Sequence, residues 1–225
     1  MSSHYKALTR RTNPKKIPIF PLNGAVMLPA CDLPLTIFEP RYLNMVDDAL
    51  KSDRLIGMIQ KEDDHLAQIG GLGRITQFVE QENGRYLIVL KGLKRFRIVS
   101  ELSVSTPYRQ AHISFEDFEN DAELHTAQKD LDSLSETKRS ERAVLTLAMK
   151  ALAKRLSVKV DWDGLSQIPM PLLVNQTTMI SPFAPEEKQS LLEAKTPDEQ
   201  RKLLTGLLHL YASEIMGQAA PHAKQ

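Results

Sequence analysis

Near residue 118 the periodicity of the chain changes, and this shift restricts the fold more than any single motif does. Up to that point short β-type runs alternate with glycine and proline. Beyond it these breakers thin out and apolar residues recur at helical spacing.

In the first part, Ile17 to Phe20 and Leu35 to Phe38 read as strands, with a turn-rich stretch holding Asn23-Gly24 and Pro29 between them. From Arg41 to Leu50 the residues Leu43, Val46 and Leu50 form one stripe, which predicts a helix of about three turns entered behind Pro40. Further strands are expected at Leu55 to Ile59, Arg74 to Glu80, Tyr86 to Lys91, Phe96 to Val99 and Tyr108 to Phe115. Asn83-Gly84 supplies a hairpin turn, since this pair tolerates positive φ. Short strands at these intervals with one inserted helix predict a small, closed or partly closed β-barrel.

In the second part, Leu145, Ala148, Met149, Leu152 and Leu156 share one side of a strong amphipathic helix. A weaker stripe covers Asp121 to Glu136. Helices are also expected at Leu172 to Ser181 and Pro185 to Glu193. Thr196-Pro197-Asp198-Glu199 is a capping-box pattern opening a last helix, with Leu203, Leu207, Leu210 and Ile215 as its apolar face and Gly217 as its stop. The fold class is therefore α+β. Residues 1–16 are expected as a flexible segment, 17–118 as the barrel, 119–217 as a helical bundle and 218–225 as a flexible tail.

Composition narrows the functional classes. Hydrophobic residues at 42% and charged residues at 25% are ordinary globular values, and one cysteine, Cys31, excludes an internal disulfide and fits a reducing compartment. The apolar runs are too short for a membrane span or a signal core, so a cytoplasmic chain is expected. The six histidines are scattered without ligand spacing, and no metal or other cofactor is expected. No Gly-Lys dipeptide exists for a phosphate loop, and no G-x-S-x-G elbow occurs.

One ordered set of motifs carries a resemblance. Ile19-Phe20-Pro21-Leu22, then Leu33-Pro34-Leu35-Thr36-Ile37-Phe38-Glu39-Pro40-Arg41-Tyr42, then Gly84-Arg85 through Gly92 with Arg95-Phe96-Arg97-Ile98, then Glu187-Lys188-Gln189-Ser190-Leu191-Leu192-Glu193 stand in sequence. The chain from about Ile17 to Gly217 resembles the amino-terminal, substrate-binding domain of the Lon protease family. The resemblance implies a PUA-like β-barrel joined to a helical bundle, and a protein- or peptide-binding module. It implies no catalysis, because Lon enzymes place ATPase and serine–lysine peptidase in other parts of the chain.

Unfolded or flexible polypeptide is thus the expected partner, recognised by buried apolar area and edge-strand pairing, for which an apolar groove between barrel and bundle would serve. Leu33, Pro34, Phe38, Met58 and Phe78 are the candidate contacts. Glu39, Pro40, Arg41 and Tyr42, the core of the family signature, read as scaffold at a strand-to-helix junction. Arg95 and Arg97 point opposite to Phe96, into solvent or an ion pair. RNA binding is the alternative, since PUA-like barrels elsewhere bind RNA and Lys91, Lys94, Arg95 and Arg97 cluster on one hairpin. A net charge of +1 and 6% aromatic residues disfavour it.

Overall fold

The computed structural model describes residues 14–62, 65–119, 121 and 135–213. Six strands come first: β1 (Lys16–Pro21), β2 (Asp32–Ile37), β3 (Leu55–Glu62), β4 (His65–Glu80), β5 (Tyr86–Glu101) and β6 (Gln110–Ser114). Helix α1 (Pro40–Leu50) lies between β2 and β3. Among the described residues the later helices are α2 (Glu136–Arg155), α3 (Trp162–Ser166), α4 (Met170–Ile180), α5 (Pro185–Glu193) and α6 (Pro197–Ser213). The fold is α+β, as the two periodicities predict.

The strands run in the order β2-β5-β4-β3-β1-β6, and a further β5–β6 pairing closes the sheet into a barrel. Closure depends on the length of β5: Tyr86 to Lys91 pair with β2, while Arg97 to Glu101 pair with β6. The sequence reading splits β5 in two and starts β4 only at Arg74, because the glycines look like breaks. They lie inside the strands instead. A Cβ on Gly71 would fall 1.9 Å from the Met27 carbonyl oxygen, and one on Gly92 2.0 Å from that of Leu28. Bare backbone at these two positions lets the segment 22–31 lie directly on the sheet.

β3 is buried on both faces, which explains its continuous apolar run. Leu55 and Ile59 enter a core with Ile17, Ile19, Leu72 and Phe96; Ile56 and Met58 enter a second one, under α1. Helix α1 buries Tyr42, Met45, Val46 and Ala49. The expected stripe of Leu43, Val46 and Leu50 is rotated by about one residue, leaving Leu43 and Leu50 half-buried at its margins. Tyr42, packed edge-on against Phe20 with ring centroids 4.4 Å apart, sets that rotation.

In the helical part α2 buries Leu145, Ala148, Met149 and Leu152 as expected, against Leu173, Val174, Leu191, Leu204 and Leu208. Leu156 lies past the helix end and is exposed, contrary to the expected stripe. The last helix also differs. Leu204 and Leu208 are buried while Leu203 and Leu210 are exposed, and Ile215 lies outside the described residues. Leucine pairs at 203–204 and 207–208 allow two apolar faces, and packing against α2 chooses between them. The capping box holds: Glu199 N–H donates to Thr196 Oγ1 at 3.1 Å, and Thr196 N–H to Glu199 Oε2 at 3.2 Å. The weaker helix expected from Asp121 to Glu136 falls mostly on residues outside the described ones.

Candidate functional site

Among the described residues β2 pairs only with β5, so its far side is a free edge. Gly92 N–H donates to the Cys31 carbonyl. Alternation from there directs Leu33, Leu35 and Ile37 toward β5 and turns the backbone of Asp32, Pro34 and Thr36 outward. Pro34 has no N–H, so the edge offers donors at Asp32 and Thr36 with a lone carbonyl between them.

The outer surface beside this edge is apolar. Thr36, Leu87 and Val79 lie opposite one another across β2, β5 and β4. Leu87 is 38% exposed, Val79 57% and Phe38 62%. The Arg85 guanidinium stands 5.8 Å from the Phe38 ring centroid and continues the row past the strand end. Phe78 faces the other side of β4, in line with Leu35 and Ile88, and meets Tyr86 edge-on at 4.9 Å.

The residues singled out from the sequence therefore separate. Pro34 and Phe38 sit on or beside the exposed edge, Phe78 at a partly exposed rim, and Leu33 half-buried against the barrel core. Met58 is 1% exposed and belongs to the core beneath α1. Leu87 and Val79 were missed, although their alternation with buried Ile88 was a usable signal. At the signature, Pro40 opens α1 and Tyr42 is buried. Glu39 caps the helix only through its backbone carbonyl; its carboxylate accepts from Arg41 Nε at 2.9 Å, in a pair about half exposed to solvent.

Much of the joint between barrel and bundle, where the apolar groove is expected, is filled. Val26, Leu28, Cys31, Ile69 and Phe118 pack there with Leu192. Burial pushes the Cys31 thiol up to about 12, and it serves as a small apolar filler. Arg95 crosses the joint with its side chain 7% exposed, against 4% for Asp121. Its Nε and Nη2 donate to the Asp121 carboxylate at 2.9 and 2.7 Å. Nη1 donates to the carbonyls of Leu192 and Ala194, capping the C-terminal end of α5. The sequence places Arg95 correctly on the face opposite Phe96, but that face is covered. Gln60 donates to the Pro185 carbonyl, Asn175 to that of Pro29 and Gln189 to that of Ile69, so bundle and barrel satisfy each other's backbone. Lys188, whose pKa is lowered by burial, donates to Gly24. The cleft remaining at this joint is about 270 Å³, with Leu66 and Ala67 of the barrel and Pro185 of the bundle as apolar walls and Asn23, Gln60, Lys61, His65 and Glu186 around them.

The basic hairpin is also engaged. Lys91 pairs with Asp32 at 3.2 Å, Lys94 lies 4.7 Å from the Phe115 ring centroid, Arg95 is buried, and Arg97 pairs with Asp117 at 2.5 Å.

The chain belongs to the family described as the ATP-dependent protease La (LON) substrate-binding domain, whose model matches residues 16–209. It is similar to Lon protease 2 of Myxococcus xanthus, 32% identical over 108 residues, which is 44% of this chain and 13% of that relative. Lon protease of Anaeromyxobacter dehalogenans is 27% identical over 209 residues, covering 87% of this chain and 23% of the relative. The chain thus spans less than a quarter of the length of these proteases. Two solved structures share the fold. A Lon N-terminal domain protein from Xanthomonas campestris superposes with TM-score 0.60 at 22% identity, covering 85% of this chain and 98% of that one. The N-terminal domain of Mycobacterium avium complex Lon protease gives 0.63 at 17% identity, covering 90% and 100%.

Proposed function

We propose that this chain is a non-catalytic module that binds unfolded or flexible polypeptide segments along β2 and the apolar row beside it. The observation that carries the reading is the exposure of Phe38, Leu87 and Val79 next to an unpaired strand edge. An extended segment pairs with the free backbone groups of Asp32, Pro34 and Thr36 and lays apolar side chains on the row. Pro34 removes one donor, which weakens pairing between copies of this edge while leaving room for a short segment. On this reading the chain acts in the cytoplasm as an adaptor in protein quality control. RNA binding lacks comparable support, since the cations of the hairpin are already paired, buried or stacked.

The test is photo-crosslinking from a benzoyl-phenylalanine placed at position 38, using a reduced and alkylated, permanently unfolded polypeptide. Crosslinks are expected, and Phe38→Ala with Leu87→Ala should weaken binding about tenfold or more. The melting temperature should hardly change, because these side chains are exposed. Undiminished binding by the double variant would refute the proposal.

A further inference from the structure

The inner side of the β2 edge is apolar, as the outer side is. Leu33 stands in register with Leu90 and Ile75, and Leu35 with Ile88 and Phe78. Leu90 and Ile88 have a strand on each side and are 0% and 2% exposed. Leu33 and Leu35 lie on the same face, with a strand on one side only among the described residues, and they stay half-buried against the core under α1. The difference is the surface that a further strand would cover. Two residues on, Ile37 is 2% exposed, so the inner side closes where β2 ends. On the outer side Pro34, Thr36 and Phe38 are exposed, and Pro34 stands beside Val89 as Thr36 does beside Leu87.

Successive side chains of an extended segment point to opposite faces. On this edge they alternate between Pro34, Thr36 and Phe38 outside and Leu33 and Leu35 inside. A segment that alternates apolar and polar residues, the pattern of a half-exposed strand, covers one side and sets its polar residues against the other. Slipping its register by one residue only exchanges the two sides. A polar side chain held against Leu33 and Leu35 loses water without gaining a hydrogen bond. We propose that the β2 edge selects segments with an unbroken run of apolar residues beside Leu33 to Thr36, and discriminates against alternating segments of the same composition. This is the pattern of a strand buried on both faces, as in β3 of this chain, where Leu55 and Ile59 face one core and Ile56 and Met58 the other. The inference rests on the edge-binding reading above and names the class of segment that the edge takes.

Two short peptides are built from valine and threonine, which have similar shape and strand preference. Their compositions are identical; one holds its valines in an unbroken run and the other alternates them with threonines. Each is titrated with the intact protein and followed by the anisotropy of an attached dye. The unbroken run should bind about tenfold more tightly. Leu35→Gln, and separately Leu33→Gln, should weaken the run peptide and bring the two affinities together. Partial unfolding of a variant lowers both affinities alike and leaves their ratio unmoved, so the ratio reads the inner side; the wild-type comparison carries the test if both variants are unstable. Equal binding of the two peptides, tighter binding of the alternating one, or an unchanged ratio in both folded variants overturns the proposal. If position 38 crosslinks to unfolded polypeptide while the peptides bind equally or not at all, this inference alone falls. If that crosslinking fails as well, the edge is not the site and both readings fall.

Discussion

Removing the Asp121 carboxylate would leave the Arg95 guanidinium charged, buried and only half-bonded, 4.1 Å from the Phe118 ring centroid. Breaking one partner of a buried pair costs about 3–5 kcal/mol, mostly as the desolvation of the charge left behind. Asp121→Ala should therefore lower the unfolding free energy by that order in urea denaturation. The neighbouring pair is an internal control. Arg97 and Asp117 are each about half exposed, so Asp117→Ala should cost about 0–1 kcal/mol. The sequence shows Arg95 and Arg97 as equivalent residues flanking Phe96. Alternation puts both on the face away from Phe96, but Phe118, Asp121 and the end of α5 cover only one of them. The same limit applies at the candidate surface, where Phe38 and Met58 look alike as apolar residues in a β-rich segment and end up on opposite sides of the sheet.

At the level of elements, α1 is held to the barrel by tyrosines as well as by its apolar face. Tyr108 hydroxyl donates to Asp48 Oδ2 at 2.7 Å, and this bond tethers the helix to the chain just before β6. Burial, then the bond to Asp48, pushes the Tyr108 pKa from 10.0 to about 12. A folded-state pKa raised above the unfolded one means the neutral hydroxyl stabilises the fold fully below about pH 10, and that contribution is lost as pH rises through about 12. Cys31, raised from 9.0 to about 12 by burial, adds a loss of the same sign beginning near pH 9. Unfolding free energy measured against pH should fall across this alkaline range. Tyr108→Phe should flatten the part above pH 10, and Cys31→Ala the part that starts earlier. An unaltered slope in both variants would contradict the assignment. Element positions were largely legible from periodicity and caps, whereas rotations were not. Leu203 and Leu204 are equally apolar, and the face of α6 that wins is the one that meets Leu145 and Leu152.

For the molecule as a whole, the filled joint predicts that barrel and bundle unfold together. Its core draws on the 22–31 segment, β4 and α5, and Arg95, Gln60, Asn175 and Gln189 bond across it. Calorimetry should show one transition whose calorimetric and van't Hoff enthalpies agree. Two resolved transitions would mean that the joint contributes little. Asp121→Ala is the variant expected to separate them, because it weakens the contact without touching either interior. The polypeptide-binding surface proposed for the barrel lies away from this joint, on the outer face of the β2-β5-β4 strands.

Taken by itself, the sequence determined the strand-then-helix order, the helix starts at Pro40, Pro185 and Thr196, the hairpin at Asn83-Gly84, and membership of the Lon substrate-binding family. These are local properties: dihedral preferences, capping patterns and periodicity act over a few residues and leave a trace in any short window. Tertiary structure alone decided that β5 is long enough to close the barrel, that Arg95 is buried while Arg97 is not, and that much of the barrel–bundle joint is filled. It also decided that Phe38, Leu87 and Val79 share one exposed row. Each of these depends on which distant segment covers a given face. Burial depends on such neighbours, and a side chain's own chemistry does not name them.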